Sequence, residues 1–246
     1  MTKSSMASEH SYEQLDGVPH TPFQDKSRNS LLDELPENES RLVEQDLKGI
    51  NLRPNERLVE KEKAISQIYF LDEGWASVMS TGSMRPVEVA MIGSEGMVGL
   101  SVFLGATFAV NNCLMQTNGK GRRIATANFQ RILPEMPILR QRITAYVHDR
   151  LLQSYNAVVA TTVGSLEARV SRAILMCHDR SASDEITITQ DQLARKIGAN
   201  RAGVTNVLHL LEGQRVIASR RRCVLIIDRV RLEKAAAGTY ARGAPH

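Results

Sequence analysis

The chain has 246 residues, of which 42% are hydrophobic and 24% are charged, which indicates one or two globular domains with a substantial core. No stretch approaches a membrane span, and the N-terminus lacks the apolar core of a signal peptide. The three cysteines, Cys113, Cys177 and Cys223, lie far apart in the sequence. We therefore expect a protein of the reducing cytoplasm with no membrane partner.

The net charge of +4 is unevenly distributed along the chain. From Gly164 onward, 14 Lys and Arg residues stand against 8 Asp and Glu, which gives +6. The preceding residues hold 17 against 19, which gives −2. A polyanionic partner is therefore expected to bind the C-terminal part of the chain.

Residues 1–28 mix Ser, Pro, His and charged residues without periodicity, which predicts a disordered tail. Residues 29–136 begin with helical segments broken by Pro36 and continue as short alternating runs separated by glycines, a texture typical of a small antiparallel β-barrel. The segment GSEGMVGL (93–100) lacks the Lys-Ser/Thr pair of a phosphate-binding loop. Its glycines are therefore interpreted as turn residues.

Helical periodicity returns over residues 137–163, where Pro137 suits the first turn of a helix. Apolar and small residues recur there at four- and three-residue steps, as in a coiled-coil seam. The predicted dimer seam consists of Leu139, Ile143, Val147, Leu151, Tyr155, Val158 and Thr162. The alternative is a helix that packs on its own barrel. A twofold dimer would present two copies of the C-terminal region to two half-sites.

Residues 164–234 contain two short helical patterns separated by Gly198. Thr189 is a good N-cap for the first, and Asn200 for the second. In the second pattern the apolar residues fall on one face and the polar residues on the other. The apolar face consists of Val204, Val207, Leu208 and Leu211, and the polar face of Arg201, Thr205, Asn206 and His209. This arrangement predicts a helix-turn-helix; a structural helical hairpin is the alternative.

Two short strands are predicted after Gly213, and they meet at a turn that holds three arginines. A basic wing of this kind would reach phosphates of double-stranded DNA, while the second helix would read base edges. The predicted DNA-binding residues are Thr189, Gln190, Asn200, Arg201, Thr205, Asn206, Arg220, Arg221 and Arg222. Residues 235–246 are expected to form a flexible C-terminal tail.

The segment TQDQLARKIGANRAGVTNVLHLLEGQRVI (189–217), together with GMVGLSVFLG (96–105) and FQRIL (129–133), resembles the Crp/Fnr, or cyclic-AMP receptor protein, family of bacterial transcription regulators. The resemblance covers residues 30–232. It implies an α+β fold with an N-terminal cyclic-nucleotide-binding-like β-barrel (a jelly roll), a long dimerisation helix and a C-terminal winged helix-turn-helix. It also implies a homodimer that binds a palindromic DNA site, with RNA polymerase as a candidate partner.

The sequence departs from the family pattern in the second helix. Founding members begin this helix with an Arg-Glu pair and carry a second Arg four residues beyond the Glu; the corresponding residues here are Arg201, Ala202 and Asn206. The Glu, Ser and Arg pattern of Fnr-like members is also absent. Neither standard half-site is therefore expected, although Arg201 could pair with guanine and Asn206 with adenine.

The effector pocket implied by the resemblance consists of Gly99, Leu100, Asn111 and Asn112. Nucleotide-binding members have a Glu where Leu100 stands and a phosphate-binding Arg near Asn111 or Asn112. Without that Arg a cyclic phosphate would lose a charge-assisted hydrogen bond, so we expect an effector other than cyclic AMP.

No cofactor or metal is expected either. An iron–sulfur cluster needs about four thiolates, and the chain has only three cysteines, which lie far apart. Haem ligation would depend on isolated residues such as His148 and Cys113. Cys177 and Cys223 would be redox-sensitive if exposed; the alternative is that they are buried and inert.

The leading hypothesis is thus a sequence-specific regulator without catalytic activity, because the sequence contains no HExxH, CxxC, Ser/His/Asp or paired-carboxylate motif. The competing hypothesis is a cyclic-nucleotide-responsive interaction module whose C-terminal domain binds protein.

Overall fold

The computed structural model describes residues 29–80, 86–181 and 183–240. The tail predicted over residues 1–28 lies outside the described residues, as do residues 241–246. The described chain combines helices with antiparallel sheets, which confirms the predicted α+β class. None of the described helices is long and apolar enough to cross a lipid bilayer.

The N-terminal part folds into two four-stranded antiparallel sheets. Their strands are β1 (Lys48–Leu52), β2 (Arg57–Val59), β3 (Gln67–Glu73), β4 (Ala76–Ser80), β5 (Val87–Ile92), β6 (Met97–Val98), β7 (Asn112–Met115) and β8 (Gly119–Ala125). One sheet has the order β1-β8-β3-β6 and the other β2-β7-β4-β5. Buried residues such as Phe70, Met97 and Met115 fill the interior. This arrangement confirms the predicted cyclic-nucleotide-binding-like barrel.

Four helices accompany the barrel, namely α1 (Glu37–Glu44), α2 (Leu100–Phe103), α3 (Thr126–Ile132) and α4 (Pro137–Val163); a short 3-10 turn, Leu133–Glu135, precedes α4. The start of α4 is fixed by a contact from α1. The buried carboxylate of Glu39 accepts hydrogen bonds from the backbone N–H groups of Ile138 and Leu139, both at 2.9 Å. A carboxylate at a helix N-terminus satisfies otherwise unpaired donors and complements the helix dipole.

Helix α4 divides the predicted dimer seam into two parts. Leu139 and Ile143 are fully buried in the barrel core, so they are not available to a seam; here the alternative of packing on the chain's own barrel is correct. The reason is geometric. In an α-helix, side chains four residues apart differ in direction by about 40° around the helix axis. Leu139 and Leu151 are three such steps apart, so their side chains point in directions that differ by about 120°. Further along, Leu151, Tyr155 and Val158 are exposed.

The C-terminal part comprises α5 (Leu166–His178), β9 (Glu185–Thr187), α6 (Gln190–Ile197), α7 (Arg201–Gly213), β10 (Ile217–Arg220), β11 (Cys223–Ile226) and α8 (Arg229–Ala235). The strands form one antiparallel sheet in the order β10-β11-β9. Helices α5, α6 and α7 pack around a shared core that includes Ile174, Leu193 and Leu208. The structure confirms the predicted winged helix-turn-helix.

The barrel and the C-terminal part are packed against each other. Trp75 and Met91 of the barrel belong to the C-terminal core. Two ion pairs also cross the boundary, one between Lys196 of α6 and Glu88 of β5 and the other between Arg180 and Glu95. The side chains of Lys196 and Glu88 are only 8% and 9% exposed. A pair this well shielded from water is costly to break, because removal of one partner leaves a buried charge uncompensated.

The end of the described chain differs from the predicted flexible tail. Ala236 and Thr239 are buried. The Tyr240 hydroxyl donates to Asp179 at 2.6 Å and accepts from Arg229 at 2.8 Å. Residues 236–240 are therefore packed on the C-terminal part. The segment is too short to carry a periodic pattern, so the sequence contained no signal for this contact.

Candidate functional site

Helix α6 begins and ends at the predicted residues. The Thr189 hydroxyl accepts from the Gln192 N–H at 3.1 Å, and the Gln192 side chain accepts from the Thr189 N–H at 2.8 Å, which completes a capping box. Gly198 ends the helix in the left-handed conformation, with φ of 62°. Thr189 was also predicted to contact DNA, but its hydroxyl is already engaged on both sides, since it also donates to Gln192.

Helix α7 follows after a short turn, and Asn200 caps it as predicted. The side-chain oxygen of Asn200 accepts from the Gly203 N–H at 2.7 Å, which leaves its NH2 group free to donate. Val204, Leu208 and Leu211 are buried on one side of the helix. The opposite face, which we call the recognition face, is exposed at Arg201, Ala202, Asn206 and His209 and partly exposed at Thr205.

Helices α6 and α7 are tied together at their first turns. The Thr205 hydroxyl lies 2.8 Å from the side-chain oxygen of Gln190 and donates to it. Arg201 lies 3.7 Å from the carboxylate of Asp191 in a solvent-exposed ion pair. Such a pair contributes little stability, so the Arg201 guanidinium can exchange Asp191 for another acceptor at small cost. Asp191 was not among the predicted site residues.

The wing is the hairpin formed by β10 and β11. Arg220 pairs with Cys223 in the strand register, so the turn consists of Arg221 and Arg222. Arg222 has φ of 62°, and all three arginines are exposed. No carboxylate of the described residues forms an ion pair with any of them. Their charge is therefore available to an external anion.

A cleft of about 340 Å³ separates the wing from the first turns of α6 and α7. It brings six of the nine predicted DNA-binding residues to one surface, namely Thr189, Gln190, Arg201, Arg220, Arg221 and Arg222. The other three, Asn200, Thr205 and Asn206, lie on or beside the recognition face of α7. The C-terminal part thus presents an exposed polar helix face next to an unpaired cationic turn.

A second cavity, of about 200 Å³, lies inside the barrel against α4. Three of the four predicted effector residues, Gly99, Leu100 and Asn111, line it. Asn112 does not, and its side chain accepts from the Lys61 N–H at 2.9 Å instead. Because successive residues of a strand point to opposite faces, Cys113 faces this cavity and Asn112 points away from it.

Two residues of α4, Tyr146 and Arg150, also line the barrel cavity, and neither was predicted from the sequence. Arg150 donates to the Met91 carbonyl at 2.8 Å and to the Gln153 side chain at 2.7 Å. Tyr146 is buried against Gly96, where an added Cβ would come within 2.1 Å of the ring. Burial raises the pKa of Tyr146 to about 12, and its hydroxyl has no hydrogen-bond partner among the described residues.

Tyr146→Phe is expected to leave the free energy of unfolding unchanged or to raise it by about 1 kcal/mol, because it removes a buried hydroxyl that makes no hydrogen bond. Chemical denaturation of the variant measures this. Tyr240→Phe is the matched control, since its hydroxyl is bonded to Asp179 and Arg229 and its loss should destabilise the protein. Equal destabilisation by both changes would mean that the Tyr146 hydroxyl is bonded after all.

All three cysteines are free and buried, which agrees with the structural interpretation of these residues. Burial raises the pKa of Cys113 to about 12 and that of Cys177 to about 11. The Cys223 thiol donates to Glu185 at 3.0 Å, and burial together with this carboxylate raises its pKa to about 11. The thiols are therefore protonated near neutral pH, the form that reacts slowly with oxidants.

No group of three or more His, Cys, Asp or Glu residues that could hold a metal ion occurs among residues 29–80, 86–181 and 183–240. His148, considered as a haem ligand with Cys113, is exposed on α4, whereas Cys113 is buried in the barrel. The fold does not bring these two residues to one cavity.

This protein belongs to a class in which a long helix joins a cyclic-nucleotide-binding-like barrel to a winged helix-turn-helix. The recognition face of α7 and the arginines of the wing are the surface features of that class. Residues 168–235 match the Crp-like helix-turn-helix domain. Solved structures share the fold of this chain over most of its length. Together with the matched domain, they confirm the resemblance to the Crp/Fnr family of transcription regulators. Comparison with curated protein sequences found no match.

Several solved structures share this fold at low sequence identity. TTHB099, a transcriptional regulator of the CRP family from Thermus thermophilus, is 17% identical with a TM-score of 0.67 and covers 79% of this chain and 100% of its own. FixK2 from Bradyrhizobium japonicum is 14% identical with a TM-score of 0.67, covering 80% and 99%. The c-di-GMP responsive global regulator CLP from Xanthomonas campestris is 15% identical with a TM-score of 0.64, covering 78% and 99%.

Proposed function

We propose that this protein is a homodimeric, sequence-specific DNA-binding transcription regulator of the Crp/Fnr type. The observation that carries the proposal is the exposed recognition face of α7 beside a wing of three arginines without carboxylate partners among the described residues. Helix α7 can enter the major groove of DNA with its polar face toward the bases. The wing arginines can then bind the phosphates that flank the groove. Within the recognition face, Arg201 and Asn206 carry side chains that can pair with base edges.

The dimer is supported by an exposed apolar stripe on the second half of α4. Tyr155, Val158 and Val163 are 62%, 65% and 76% exposed, and Leu151, Leu152 and Val159 lie beside them. A helix that leaves so many large apolar side chains in water is unusual for a monomer. A second copy of the same stripe would cover it and would place two recognition faces about a twofold axis.

The effector is proposed to be a small molecule other than cyclic AMP. The barrel cavity is lined mainly by Val, Ile and Met side chains, and at about 200 Å³ it is smaller than most pockets for drug-sized ligands. Leu100 places an apolar side chain where nucleotide-binding relatives have a Glu. A small, largely apolar ligand that accepts a hydrogen bond from Tyr146 fits this cavity best, because Arg150, the one charged side chain among the described lining residues, already donates to Met91 and Gln153. We further propose a cytoplasmic location and RNA polymerase as a partner.

The proposal is tested by genome-wide footprinting with the purified protein, followed by titration of one protected site at several salt concentrations. Wing arginines from two protomers would neutralise about six phosphates, so log K should fall with log salt with a slope of about −5. A palindromic footprint with half-sites about one helical turn apart would support the dimer. A complete lack of protection at low ionic strength would rule the function out.

A further inference from the structure

The surface proposed to bind DNA contains one carboxylate. The cleft between the wing and the first turns of α6 and α7, which we call the wing cleft, is lined by Arg201 and by the three arginines of the wing. Asp191 is the single acidic residue among its described lining residues. The recognition face of α7 itself contains no acidic residue; the residue after Arg201 is Ala202. A negative charge in a surface that meets phosphates lowers the affinity for all DNA alike.

The position of Asp191 is fixed by α6 and not by its contact with Arg201. Asp191 is the second residue of the helix, whose first turn is held by the capping box of Thr189 and Gln192. A carboxylate in the first turn is stabilised by the helix dipole and by N–H groups that have no partner within the helix. The negative charge therefore stays beside the wing cleft even when the Arg201 side chain moves away.

Arg201 and Asp191 attract each other without forming a hydrogen bond. A terminal nitrogen of Arg201 lies 3.7 Å from a carboxylate oxygen of Asp191, which is longer than a hydrogen bond. The guanidinium donates to no other group of the described residues. It is therefore oriented by charge alone, and all of its N–H donors remain available to a base or a phosphate.

The carboxylate affects these two kinds of acceptor differently. Guanine offers the neutral acceptors O6 and N7, and their hydrogen bonds with the guanidinium bring no further charge near Asp191. A phosphate in the same place would bring a second negative charge, and the two anions would repel each other. Bound DNA excludes much of the water and salt from the cleft, so the repulsion is screened less than at a free surface. Asp191 therefore favours a base over a phosphate as the partner of Arg201.

A phosphate is the main competitor of a base for Arg201. Arg201 is the first residue of α7, and the N-terminus of a helix attracts anions. An arginine that binds phosphate at this position strengthens binding to every sequence alike, because phosphates carry no sequence information. Specificity is the difference between the affinities for the correct and the incorrect sequence. A group that weakens the phosphate contact of Arg201 therefore increases specificity.

We propose that Asp191 is a specificity-determining residue, which keeps Arg201 directed at a base by repelling phosphate from it. This role rests on the DNA-binding function proposed above, and it adds a residue of α6 to the recognition surface. Asp191 acts through Arg201 and does not itself pair with a base. Its presence lowers the affinity for DNA in general and increases the preference for the correct site over other sequences.

Fluorescence anisotropy of the full chain with two duplexes of equal length tests this role. One duplex contains the site protected in footprinting, and the other has the same bases in scrambled order. Asp191→Asn, which removes the charge and keeps the size, should strengthen binding to the scrambled duplex about tenfold and to the protected site no more than about threefold. On the scrambled duplex the salt slope should become steeper by about one per protomer, because Arg201 then neutralises a phosphate.

Three further variants show whether Asp191 acts through Arg201. In an Arg201→Ala background, Asp191→Asn should strengthen binding to both duplexes by the same factor, because no guanidinium is left to redirect. Asp191→Glu retains the charge and should keep the preference for the protected site within about threefold of the wild type. Asp184→Asn, the same loss of charge at an exposed position outside the wing cleft, should bind both duplexes within about twofold of the wild type.

The possible results distinguish this role of Asp191 from the proposed function of the protein. If the wild type prefers the protected site and Asp191→Asn prefers it by the same factor, with an unchanged salt slope, the role of Asp191 is overturned and the function stands. The same fall in preference with and without the Arg201 side chain would also overturn it. A wild-type chain that binds neither duplex overturns the proposed function, and the role of Asp191 with it.

Discussion

Arg201→Ala is expected to weaken binding to the protected DNA site by about 10- to 100-fold and to relax base preference at one position of each half-site. Arg201 is exposed on the first turn of α7, and it forms an ion pair with the exposed carboxylate of Asp191, 3.7 Å away. The change removes a groove contact without disturbing the core. Quantitative gel shifts against the wild-type site and its single-base variants measure both effects.

Two further variants distinguish sequence-specific contacts with the bases from the attraction of positive charge to the phosphates. Arg221→Ala in the wing should weaken binding to every sequence alike and should make the salt slope less steep by about one per protomer. Lys234→Ala removes the same charge from an exposed position of α8, which packs on α5, and should leave affinity nearly unchanged. If Arg201→Ala behaved like Lys234→Ala, α7 would not be the element that reads DNA.

Val158→Glu is expected to convert the proposed dimer into a monomer, and to lower the affinity for a palindromic site by about a thousandfold. Val158 is at the centre of the exposed stripe of α4. In a twofold dimer it would meet its own copy or a close neighbour, so two carboxylates would be buried together without partners. Sedimentation velocity measures the mass, and gel shifts measure the affinity.

Gln141→Glu is the matched control, because it places the same carboxylate on an exposed position of α4 outside the apolar stripe. It should remain dimeric. A Val158→Glu variant that is still dimeric would mean that the protomers associate through another surface, and the stripe would then need a different partner. A wild-type chain that is monomeric at micromolar concentration would remove the basis for the twofold model altogether.

The structure also suggests how sensing and DNA binding are connected. Arg150 lines the barrel cavity and also the space between β5, α4 and α5, so one side chain of α4 borders both the candidate effector site and the contact with the C-terminal part. The Lys196–Glu88 and Arg180–Glu95 pairs join the DNA-binding part to the barrel. A ligand that moved Arg150 would therefore act close to the contacts that hold α6 and α5 in place.

The features that the sequence determined by itself are those encoded by neighbouring residues. Thr189, Gly198 and Asn200 set the ends of the two helices of the helix-turn-helix, because caps depend on side chains within three or four positions of the backbone groups they satisfy. The apolar face of α7 and the arginine turn of the wing were predictable for the same reason. The order of these local patterns predicted a small barrel, a long helix and a winged helix-turn-helix, and the resemblance to the Crp/Fnr family supplied the class of fold.

The tertiary structure decided which side of each element meets another part of the chain. Four-residue spacing could not distinguish Leu139 and Ile143, buried in the barrel, from Leu151 and Val158, exposed on the same helix. Tyr146 and Arg150 became cavity residues only because α4 crosses the barrel, and residues 236–240 became packed because Tyr240 reaches Asp179. These outcomes depend on contacts between residues far apart in sequence, and no local pattern records them.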